Sequence, residues 1–195
     1  MHFEITVNPA DFNLVETQFD HHSNLHGILH SYRVMCHVLR LGALTGYRTE
    51  ARTAFMAAYI HDMARRHDGY CTRHGADSAN TKLPLYRELF LRNGAEADDL
   101  FTIGVAVTQH SLGRELTQGD PAWLVTALLK DADALDRIRL GANDLDPAYL
   151  RLPETHLLIP YARELFYQTS RMKPGSFTQI LKIAEETAVA YDKGR

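Results

Sequence analysis

The chain has 195 residues, enough for one domain with a substantial core, and its 45% hydrophobic content predicts packing rather than disorder. A net charge of -3 gives no electrostatic case for a protein that coats nucleic acid, although a few arginines can still build a small phosphate pocket. No apolar run approaches the roughly 20 residues of a membrane span. The first residues lack the basic start and apolar stretch of a signal peptide, and the two cysteines, Cys36 and Cys71, do not make a disulfide framework, so a cytoplasmic protein is expected.

Helical periodicity dominates, with weak strand signals and no linker or repeat. A first helix is predicted from about Leu14 to Ser23. A second runs from about His30 to Leu44 and stops at Gly46. The third starts near Glu50 and carries His61 and Asp62 toward its C-terminal end. His67 to Gly75 reads as a loop from its glycines and polar residues. Helices follow from about Asp77 to Leu91, ending at Asn93-Gly94, and from Ala97 to Ser111. Pro121 suits the first turn of a helix continuing to about Leu140. Two more are expected near Thr155 to Arg171 and Ser176 to Tyr191, separated by Lys173-Pro174-Gly175. The expected fold is an all-α, single-domain bundle of about seven or eight helices.

The eleven histidines are many for this length. His2, His21, His22 and His156 read as surface or loop residues. Others fall on faces that the apolar spacing turns inward. After Pro121 the stripe is Leu124, Leu128, Asp131, Leu135, Ile138. The preceding helix gives Leu100, Ile103, Val107, His110, and the early one His30, Val34, His37, Leu41. In the third helix Asp62 follows Phe55, and His61 follows Ala54 and Ala58. Four helices therefore aim imidazoles and carboxylates at the core. A buried, unpaired carboxylate is costly. Convergence around one or two cations that accept mixed nitrogen and oxygen donors removes that cost. Singly, each residue has a simpler reading. His37 is a hydrogen-bonded core histidine, Asp131 caps a neighbouring helix or pairs with an arginine, and His74 is an exposed loop residue.

In order and approximate spacing, His30-Ser31-Tyr32-Arg33-Val34, Ala58-Tyr59-Ile60-His61-Asp62 and Lys130-Asp131-Ala132-Asp133-Ala134-Leu135-Asp136-Arg137 resemble the HD superfamily of metal-dependent phosphohydrolases. The resemblance covers about residues 22 to 140. It implies that His30, His61, Asp62 and Asp131 hold one divalent metal (manganese, iron, nickel, cobalt, zinc or magnesium). It further implies that His74 and His110 hold a second, with Asp62 bridging; His67 competes with His74 for that place. Two known subgroups do not fit. Met63-Ala64-Arg65-Arg66 stands where guanosine-tetraphosphate hydrolases carry Glu-Asp, and the Gly-Tyr-Pro signature of cyclic-di-GMP phosphodiesterases is missing.

The implied chemistry is attack of a metal-activated water on a phosphomonoester or phosphodiester, with a nucleotide-like substrate expected. Arg65, one turn after His61, and Arg33, one turn after His30, are candidates for the cationic partner of the phosphoryl oxygens, since an arginine fork matches phosphate geometry; a salt bridge is the simpler reading of each. His26 is a candidate proton donor or partner of a ligand. Asp133 and Asp136 are expected off the ligand face, orienting histidines or pairing with Arg137 and Arg139. Two alternatives stay open: a di-iron oxygenase of the same type acting on a small polyol or phosphonate, and a non-catalytic metal-binding interaction domain.

Overall fold

A computed structural model describes residues 3, 7–141 and 143–193; His2 lies outside them. Among the described residues there are nine α-helices and no strand: α1 Ile28–Thr45, α2 Arg48–Ile60, α3 His74–Thr81, α4 Leu83–Arg92, α5 Ala97–His110, α6 Trp123–Leu135, α7 Pro153–Leu157, α8 Ile159–Thr169 and α9 Phe177–Lys193. Helices α1, α2, α5 and α6 pack on one another as the centre; α3 lies on α5, and the α8–α9 pair closes the far side of α1. No described helix is long and apolar enough to cross a membrane.

The centre forms because each of its helices buries an apolar face. Val34, Met35, Val38 and Leu41 of α1, Phe55, Met56 and Ile60 of α2, and Leu128, Leu129 and Leu135 of α6 are buried. Each such side chain contributes about 1.5–3 kcal/mol by leaving water. Helix α1 ends where expected. Gly46 adopts a left-handed φ of 81° and its N–H returns to Gly42 O, a conformation that glycine reaches without steric cost.

Four predicted helices differ, the one expected over Thr155 to Arg171 being two, α7 and α8, divided at Leu158. Residues 14–23 form only a 3-10 turn at Glu16–Gln18. Side chains satisfy that segment instead: Leu14 N donates to Tyr32 Oη at 2.6 Å and Val15 N to Gln18 Oε1 at 2.6 Å. The helix expected over 77–91 is two, broken where Pro84 near the start of α4 leaves no backbone donor. The one expected to reach Leu140 tightens after Leu135 into a 3-10 turn over Asp136–Leu140. Cys36 and Cys71 are free.

Candidate metal centre

Three of the clustered imidazoles set Nδ1 on the carbonyl three residues back, and for two of them that carbonyl ends a helix. A helix leaves its last carbonyls without intrahelical donors. Helix α2 stops at Ile60, and His61 Nδ1 takes the carbonyl of Ala58 at 2.7 Å. Helix α5 stops at His110, whose Nδ1 takes Val107 O at 2.5 Å. His74, the first residue of α3, reaches back to Cys71 O at 2.8 Å. A carbonyl only accepts, so Nδ1 carries the proton and Nε2 presents a lone pair. The fourth, His30, has Nδ1 2.7 Å from Asp136 Oδ2. Burial pushes the Asp136 carboxyl up, but Arg33 and His30 outweigh it and hold it well below the carboxylate range. Asp136 is thus the acceptor, and His30 Nε2 also faces inward.

All four Nε2 atoms point at Asp62. On one side His30 Nε2 lies 3.5 Å and His61 Nε2 3.7 Å from Oδ2, with 3.2 Å between the two nitrogens. On the other, His74 Nε2 lies 3.1 Å and His110 Nε2 3.6 Å from Oδ1, with 2.9 Å between them. Asp133 joins the first group, its Oδ1 3.4 Å from His30 Nε2. His26 Nδ1 approaches Asp62 Oδ2 at 2.8 Å. Three overlapping triads, His26–His30–Asp62, His30–His61–Asp133 and His61–Asp62–His110, each bring their donor atoms together closely enough to hold one ion.

The donor set fits a cation. Bare Nε2 lone pairs repel at such separations. A cation with ligands at about 2.1 Å instead sets neighbouring donors about 3.0 Å apart at right angles and about 3.4 Å apart in a tetrahedron. The observed spacings bracket these values. Burial pushes the Asp62 carboxyl up, but the imidazoles of His61, His110, His26 and His30 outweigh it and hold it well below its ordinary value. Burial pulls His61 down to about 3 despite Asp62, which keeps it neutral at physiological pH. His26 is lowered as well, again chiefly by burial. Asp133 is raised by burial but lowered further by His30 and Arg139.

Gly75 lets the second half assemble. A Cβ at this position would sit 2.3 Å from Val107 O and 2.7 Å from Ser111 Oγ, so only glycine lets α3 approach the end of α5 and set His74 against His110.

His30, His61, Asp62, His74, His110 and His26 come together; His67 is exposed, its Nδ1 accepting from Gly69 N. Asp131, expected as a ligand, is not in the cluster. It is fully buried, but it faces α7, where its carboxylate accepts from Arg151 N at 3.0 Å, Leu152 N at 2.9 Å and Thr155 Oγ1 at 2.7 Å, and pairs with Arg151 Nη1 at 3.1 Å. It caps a helix and pairs with an arginine at once. Asp133, expected off the ligand face, stands in its place, because two residues along a helix turn a side chain most of the way to the opposite face.

Arg33 is likewise corrected. It shares a face with His30, but Asp136 takes its fork, Nε to Oδ1 at 2.5 Å and Nη2 to Oδ2 at 2.9 Å, in a buried wall behind His30. Arg65 does reach the centre, its Nε donating to Asp62 Oδ1 at 3.0 Å. His37 is in the core as expected but without the expected hydrogen bond. Among the described residues neither ring nitrogen has a hydrogen-bond partner, and the ring stands edge-on to Tyr161 at 5.8 Å between centroids. His21 is half-buried, His22 and His156 exposed.

Fold and site together define an all-helical protein with a buried histidine–aspartate cluster able to hold metal. Comparison with protein-family models, curated proteins and solved structures finds no match.

Proposed function

We propose that the chain is a metal-dependent phosphohydrolase of the HD type, acting on a phosphoester by water attack. One observation carries this reading: the two oxygens of Asp62 are divided between two histidine pairs, His30 with His61 and His74 with His110. A carboxylate so placed is suited to bridging two ions. Bound there, divalent metal supplies an acidified water and offsets charge on the phosphoryl oxygens.

The chain's own groups do the rest. His30 and His61, with Asp133, hold one half of the cage; His74 and His110 hold the other. Asp136 fixes the ring of His30, and Arg33 locks Asp136. Arg65, beside Asp62 and only partly buried, has Nη1 on the carbonyls of His67 and Gly69 and offers Nη2 to a phosphoryl oxygen. His26, whose Nδ1 lies between Asp62 Oδ2 and Arg139 Nη2, is placed for proton exchange with a leaving group.

The test is phosphate release from generic phosphoesters and nucleotides by the metal-reconstituted protein, with Asp62→Ala and a chelated sample as controls. Metal-dependent release abolished by the substitution is expected. Activity surviving in either control, or consumption of oxygen in place of phosphate release, refutes the hydrolase.

A further inference from the structure

A cavity of about 320 Å³ opens beside the cluster, with His110 from one half and Asp133 from the other in its lining. This is the small end of the range for ligand sites, roughly 300–1,000 Å³. Lys130, Arg137 and Arg151 stand in its walls, a set that at first sight suits a polyphosphate. Each is already committed. Lys130 Nζ spends its three donors on Leu112 O, Arg114 O and Glu115 Oε1, at 3.1, 3.0 and 2.8 Å. Arg151 grips both oxygens of Glu115, at 3.0 and 2.6 Å, and Asp131 behind it. Arg137 Nη2 pairs with Asp144 Oδ2 at 2.6 Å. Three cations thus face three carboxylates, and Asp146 adds a further negative charge to the wall. Of the lining, only His110 and Asp133 belong to the cluster that would hold the metal and, with it, the phosphoryl group. Tyr149, largely exposed, and Leu145 also line the cavity.

We infer that the site selects phosphomonoesters whose organic body is uncharged and hydroxylated, compact enough for this cavity, and that it rejects substrates bearing further phosphates. The inference rests on the phosphohydrolase reading and deepens it. Asp146, exposed and with only Oδ1 taken by Ala148 N, presents its other oxygen to hydroxyls, and a second phosphate would meet carboxylates and paired cations in place of free ones. Tyr149 offers a flat face to a sugar or base.

The test is calorimetric binding of non-hydrolysable phosphonate analogues of adenosine monophosphate, ribose 5-phosphate and adenosine triphosphate to the metal-loaded full chain, with free metal held constant. Both monoester analogues are expected to bind about tenfold or more tightly than the triphosphate. Glu115→Gln, which frees Lys130 and Arg151, narrows that gap by about threefold or more; Asp144→Asn, which frees Arg137 at the exposed rim, does the same should the first variant not fold. Tyr149→Ala weakens the adenosine monoester more than the ribose one if the base covers the ring, and both equally if the sugar does; either pattern supports the cavity as the site. Equal or tighter binding of the triphosphate, or no binding of any analogue, overturns the inference, and phosphate release from a generic ester would then leave the hydrolase standing alone. Selective monoester binding without any phosphate release would sink the hydrolase and keep the selectivity.

Discussion

Replacing Asp131 and Asp133 separately distinguishes a structural carboxylate from a metal-facing one. Asp131→Ala removes the acceptor of Arg151 N, Leu152 N and Thr155 Oγ1 and the partner of Arg151, all at a fully buried oxygen pair. Hydrogen bonds to a charged group are worth about 1.5–3 kcal/mol each, and breaking a buried ion pair costs about 3–5 kcal/mol. Since these terms overlap, a loss of about 4 kcal/mol is expected, which for a chain of this size lowers Tm by roughly 8–16 °C. Asp133 has a side chain 29% exposed and His30, at 3.4 Å, as its one imidazole contact in ion-pair range. Its replacement by alanine should move the Tm of the metal-free protein by only a few degrees, while metal content falls. Thermal melts in chelator, paired with elemental analysis of the metal-loaded protein, read both effects. Metal loss on Asp131→Ala with an unchanged metal-free Tm, or full metal retention on Asp133→Ala, refutes the assignment.

Asp136→Asn leaves His30 without its carboxylate and Arg33 with a buried charge unpaired. Metal affinity should fall about 10–100-fold by competition with a chelating dye. Gly75→Ala forces α3 off Val107 O, so the metal bound per chain should drop from two to one as His74 retreats from His110. His37, which burial lowers to about 4 with Asp136, Arg33 and His30 nearby, is neutral in the folded core and charges more readily when unfolded. Between its unfolded pKa of about 6.5 and about 4 the unfolded state binds more protons, so stability is lost as pH falls through that window, by up to about 3 kcal/mol. In urea titrations of metal-free protein at pH 7.5 and 4.5, His37→Leu should lose less stability on acidification than the parent; an equal loss contradicts the assignment.

Much of the site was legible because its histidines close or open helices, and helix ends follow from glycine, proline and apolar spacing. His61, His74 and His110 each bond the carbonyl three residues earlier, a pattern that marks a histidine at a helix end as fixed in tautomer. What spacing did not reveal was which side of α6 faces the cavity. Asp131 lies on the apolar stripe and is therefore sealed, whereas a group that must meet metal and substrate lies at the stripe's edge, as Asp133 does. The same holds for Arg33. Its spacing from His30 was right, but a carboxylate more than a hundred residues away had already taken its fork. Residues 14–23 lost their helix to a local bond from Val15 N to Gln18 and to Tyr32, a partner eighteen residues on that no local pattern announces.

The most direct test of the cage is an anomalous difference map from crystals of the protein grown with manganese. Two peaks are expected, one on each side of the Asp62 carboxylate, the first within about 2.3 Å of Nε2 of His30 and His61 and the second equally close to Nε2 of His74 and His110. A map with no peak at these nitrogens, or with its density at Asp131, would contradict it.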